Sequence, residues 1–116
     1  PTTTPTTTAP AASGPRVSIT GITTEGAWYA VAYTTTFTPS IPTPSSWHLH
    51  FYFDSVPEAQ AGVPGAGPWV LYDVPSPFRE YRVTDRPAAA RKLCAVVATH
   101  DHRILPGTGN CWTLPS

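Results

Sequence analysis

Hydrophobic and polar residues alternate with a period of two along much of this chain. The clearest run is residues 47–54, WHLHFYFD. There Trp47, Leu49, Phe51 and Phe53 fall on one face and His48, His50, Tyr52 and Asp54 on the other, the pattern of a β-strand with one face in a core. Six further runs read as strands. Residues 16–22 set Val17, Ile19 and Gly21 against Ser18 and Thr20, and residues 28–37 are aromatic and β-branched. Residues 69–74 and 80–84 are shorter runs, residues 93–99 are almost continuously apolar, and residues 111–114 close the chain. The first face of the 47–54 run, with Val96 and Trp112, is assigned to the core.

Pro- and Gly-rich segments (TPSIPTPSS, PEAQAGVPGAGP, PSPF and ILPGTGN) punctuate these runs. Only residues 87–92, PAAARK, could form a helical turn, too short to carry a crossover between parallel strands. The expected architecture is therefore all-β: one antiparallel sandwich of about seven strands over residues 16–116, preceded by an extended tract over residues 1–15. About one hundred residues suffice for one core and not for two. The strand count and spacing, Trp47 on the third strand and the segment DRPAAARKLC before the sixth resemble secreted bacterial immunoglobulin-like and fibronectin-type-III-like modules. The resemblance implies two stacked sheets with the third and sixth strands as antiparallel neighbours. It departs from the immunoglobulin pattern at the cysteines: Cys111 lies on the last strand, and no Tyr precedes Cys94.

The tract PTTTPTTTAPAASGP contains nothing able to anchor a core, and its prolines oppose regular pairing. It reads as an extracellular linker or stalk, with Thr2, Thr3, Thr4, Thr6, Thr7 and Thr8 as O-glycosylation positions. Cys94 and Cys111, the two cysteines of the chain, then read as one disulfide in an oxidising compartment. Abundant Ala, Pro, Gly and Thr resemble the usage of GC-rich bacteria. Seven basic and seven acidic side chains balance to a net charge of zero. That leaves no electrostatic footprint for nucleic acid, and no apolar run is long enough to span a bilayer. The partners expected of such a module are other cell-surface proteins, glycans or copies of itself. In the last case it would be a fibre subunit whose tract contacts the next domain.

The four histidines, His48, His50, His100 and His102, form two His-x-His pairs. On a strand such a pair places two imidazoles about 7 Å apart on one face. With the third and sixth strands adjacent, both pairs meet. Two readings follow. The plainer one is a polar, solvent-facing strand surface stabilised by cross-strand contacts. The sharper one is a site for zinc or copper, for which neutral imidazole is a common ligand. Strand-borne His-x-His on a sandwich resembles the copper–zinc superoxide dismutases, whose remaining ligands have no counterpart here.

Catalysis is not expected. There is no G-x-S-x-G elbow, the cysteines are assigned to a disulfide, and the glycines are followed by neither a helix nor a Lys that could cradle phosphate. The long loop before Trp69 admits a ligand platform of Trp69 and Tyr72, or more simply a rigid crossover into a core strand.

Overall fold

The structure is a computed structural model that describes residues 15–37, 47–63, 69–73, 76–99 and 101–115. The tract expected to be a linker, with its six threonines, lies outside the described residues except for Pro15, and so does His100.

Among the described residues six strands form: β1 (Val17–Glu25), β2 (Trp28–Thr35), β3 (Trp47–Phe53), β4 (Trp69–Tyr72), β5 (Lys92–Thr99) and β6 (Ile104–Thr113). They build two antiparallel sheets, one of β1 and β2 and one in the order β4-β3-β5-β6. The β1–β2 hairpin turns at Gly26, whose φ of 63° suits a residue without Cβ. The third and sixth strand candidates are neighbours as expected: β3 and β5 run antiparallel with Trp47 opposite Thr99 and His48 opposite Ala98.

Period-two alternation supplies the core between the sheets. Ile19, Tyr29, Val31 and Tyr33 from the small sheet meet Leu49, Phe51, Phe53, Leu93 and Val97 from the large one, all buried. Phe78 stacks on Phe51 with centroids 4.0 Å apart, and Tyr33 meets Phe51 edge-on at 5.4 Å. Trp47 departs from its core assignment. It is exposed at the mouth of the sandwich, edge-on to Phe37. Trp112, on edge strand β6, is likewise exposed.

Two strand expectations need correction. Residues 80–84 do not form a strand. Instead residues 78–82 run beside β2, where Val31 and Phe78 exchange N–H···O bonds at 2.9 Å and Tyr29 N–H donates to Tyr81 O at 3.0 Å. The alternation fails because Phe78 and Tyr81, three apart, both enter the core. The Asp85 carboxylate then accepts the Arg82 N–H at 2.7 Å and curls Val83–Asp85 into a 3-10 turn. In the opposite sense, the segment ILPGTGN is strand, not loop, so the last strand begins at Ile104. Its pairing with β5 shifts register between Ala95 and Val97. The Thr108 hydroxyl accepts the Val97 N–H there at 3.1 Å and keeps the irregular ladder satisfied.

Cys94 and Cys111 face each other across β5 and β6 and form the expected disulfide.

Candidate metal centre

The outer face of β3 is not open to water. His48 and His50 have no exposed surface, and Tyr52 is 4% exposed. The solvent-facing reading of this strand is therefore overturned, and the cause is a cover built from later sequence. Residues after β3 fold back through a 3-10 turn, Glu58–Gln60. Val56 and Ala61 from this segment pack with Tyr52, Cys94 and Val96 as a second apolar cluster, flanked by Trp69 and Ile104. Across β5, His48 lies opposite Ala98 and His50 opposite Val96, so small and β-branched neighbours leave room for the two rings.

The third imidazole comes from the hairpin between β5 and β6. His102 N–H donates to Thr99 O at 2.9 Å, and Thr99 N–H donates to Arg103 O at 2.9 Å. This three-residue hairpin connection ends on a left-handed residue, a position that favours glycine. Here it is His102, with φ of 69°, the one non-glycine residue with positive φ among those described. An L-residue in this conformation costs about 1 kcal/mol or more. The strained backbone turns the ring inward over β3.

The result is a trio. Nε2 of His48 lies 3.0 Å from Nε2 of His50, and Nδ1 of His102 lies 3.3 Å from the same atom. The ligating nitrogens of all three fall within 4.8 Å of one another. A tetrahedral zinc with bonds of 2.0–2.1 Å separates its nitrogen ligands by about 3.3 Å, close to the two shorter separations. His50 is oriented by its other nitrogen: Nδ1–H donates to Ala61 O at 2.8 Å. That bond places the ring proton on Nδ1 and leaves the Nε2 lone pair facing the other two rings, the outer support typical of ligating histidines. Burial pulls the His50 pKa down to about 4, with repulsion from His48 and His102 adding to it and the Ala61 hydrogen bond opposing it. The ring is therefore neutral, the form that binds metal.

Trp69 closes one side. Its ring stacks on His50 at 4.4 Å and 17°, held by an Nε1–H bond to Val63 O at 2.9 Å. Gly62 closes another: a Cβ there would collide with the His102 carbonyl oxygen, so only glycine allows the 3-10 segment to seat against the hairpin tip.

Of the four histidines proposed from sequence as ligands, the structure brings three together, and the fourth, His100, is outside the described residues. Trp69 and Tyr72 do not form a joint platform. Trp69 lies over the histidines, whereas Tyr72 points into the core against Phe51 and Phe78 and donates its hydroxyl to Pro77 O at 3.1 Å. They are three apart on a strand, hence on opposite faces. The supporting roles of Ala61 O and Gly62 have no sequence signal beyond the glycine itself.

Comparison with protein-family models, curated proteins and solved structures gives no match. The chain is thus defined by its own geometry: a small all-β domain, disulfide-bonded, whose His48, His50 and His102 could bind a metal ion. Among the described residues no helix is long and apolar enough to cross a membrane.

Proposed function

We propose that this domain is an extracellular metal-binding β-sandwich module that holds zinc or copper through His48, His50 and His102. The observation that supports the reading most is the His50 ring. One nitrogen is committed to Ala61 O and the other faces two further imidazole nitrogens at 3.0 and 3.3 Å. The nitrogens of all three rings lie within 4.8 Å of one another, so one ion could engage them together. The disulfide is compatible with an oxidising exterior. The role in this reading is binding, and the two cysteines, oxidised to one another, take no part in it. Without metal, a second reading stands, a module that binds cell-surface proteins, glycans or its own copies. Exposed Trp28, Trp47 and Trp112 favour it.

Metal analysis of the purified chain, followed by thermal unfolding with zinc, with copper and with chelator, tests the proposal. One ion per chain is expected. At a hundredfold excess over the dissociation constant, binding contributes about 2.7 kcal/mol to stability. Zero occupancy and no shift in unfolding with either ion would leave only the second reading.

A further inference from the structure

An ion on this trio would carry a charge that the chain does not balance. All seven acidic side chains lie among the described residues, and none joins the histidine group. Asp101, the nearest in sequence, is engaged by the Thr99 hydroxyl and held below the usual carboxylate range by that hydrogen bond. Both thiols are consumed in the disulfide. His100, were it to join, would bring another neutral ring. The ligands are therefore neutral imidazoles alone, and two of them have no exposed surface. A divalent charge in such surroundings is costly without a counter-charge.

Among the described residues, the exposed surface of the trio belongs to His102. The sheet lies beneath the trio, Trp69 stacks against His50, and Ala61 backs the same ring. His102 is the half-buried member, and it lines a surface cavity with Gly62, Val63, Asp101, Arg103 and Ile104. Asp101 and Arg103 face this cavity together and offset one another, so the ion's own charge sets what enters.

We infer that an ion held by His48, His50 and His102 keeps one coordination position open toward this cavity and takes a small inorganic anion there. The inference rests on the metal reading above. It extends that reading from ion storage to reversible anion capture, with the bound metal as the receptor.

Cobalt(II) separates the two claims, because its visible bands report the ion and their displacement reports the anion. Metal-stripped full chain is titrated with Co(II), then with azide. The metal reading requires one cobalt per chain with visible bands that disappear in His50→Gln and in His102→Gly. The latter keeps a residue suited to the turn, so it remains informative if the former fails to fold. Anion capture requires the bands to shift and saturate at millimolar azide with one azide per cobalt. Cobalt bands that azide leaves unchanged overturn anion capture while sparing the metal site. An azide response seen only in His100→Gln also overturns it, since a fourth imidazole then fills the position. Absence of cobalt binding overturns both claims together.

Discussion

The side-chain amide of Asn110 pairs with both backbone polar groups of Ile19. Its Oδ1 accepts the Ile19 N–H at 2.7 Å and its Nδ2 donates to the Ile19 carbonyl at 3.1 Å. Ile19 stands at the register shift in β1, and Asn110 lies opposite Ala95 on β6. An amide side chain thus does the work of a strand at the point where the two sheets come edge to edge.

Removing that amide leaves two partly buried backbone groups without partners. Asn110→Ala is expected to lower stability by about 1–3 kcal/mol, and Asn110→Asp also destabilises, because its second oxygen can only accept and faces the Ile19 carbonyl oxygen. Urea denaturation of the three proteins in chelator checks this, since the effect belongs to the fold and not to the metal site. Asn110→Ala unfolding at the parent's midpoint would show that the amide is dispensable.

His102 sets a backbone cost against a ligand. His102→Gly relieves the left-handed strain, so in chelator this variant is expected to match the parent or exceed it by about 1 kcal/mol. With zinc the order reverses, because the variant lacks one of the three nitrogens. Paired unfolding curves, with and without zinc, check the reversal. A glycine variant less stable than the parent under both conditions would show that the ring serves packing alone.

Gly62 makes an opposite kind of prediction. In Gly62→Ala the new methyl displaces the His102 carbonyl or the 3-10 segment that carries Ala61. A loss of about 1–3 kcal/mol is expected, as for other overpacked sites, with metal affinity reduced about 10- to 100-fold through the disturbed outer support. Calorimetric titration with zinc measures the second effect independently of the first.

The metal-free protein is expected to lose stability in mild acid. Unfolded, His50 protonates near its ordinary value of 6.5; folded, its pKa falls to about 4. Between these values the unfolded chain holds more protons, so stability rises with pH through this window and the contribution is flat above it. The span corresponds to at most about 3 kcal/mol. Denaturation in chelator from pH 4 to pH 8 should show this slope, and His50→Gln should lack it.

Much of the sandwich was legible because β3 alternates cleanly: Leu49, Phe51 and Phe53 could only face a core, and they do. The opposite face was misread for a reason of distance. Polar residues at alternate strand positions signal water unless something covers them, and the cover over His50 comes from Ala61, after the 3-10 turn, and from Trp69, at the start of β4, whose placement no local pattern dictates. The Pro-Gly-Thr-Gly run in β6 reads as a turn by composition, yet Thr108 lends its hydroxyl to the ladder and the strand continues. Convergence of His48 and His50 with the hairpin between β5 and β6 followed from strand adjacency. The backbone angle that aims His102 inward did not, because nothing about a histidine announces a conformation that favours glycine.

The hairpin of β5 and β6 is tied by Cys94–Cys111 toward its open end and by His102 at its tip. With an ion in place, one tie would depend on oxidant and the other on metal supply. In a reducing medium poor in zinc and copper both ties would be loose. In an oxidising medium that supplies the ion both would set, so the same hairpin would be pliable in the first setting and fixed in the second.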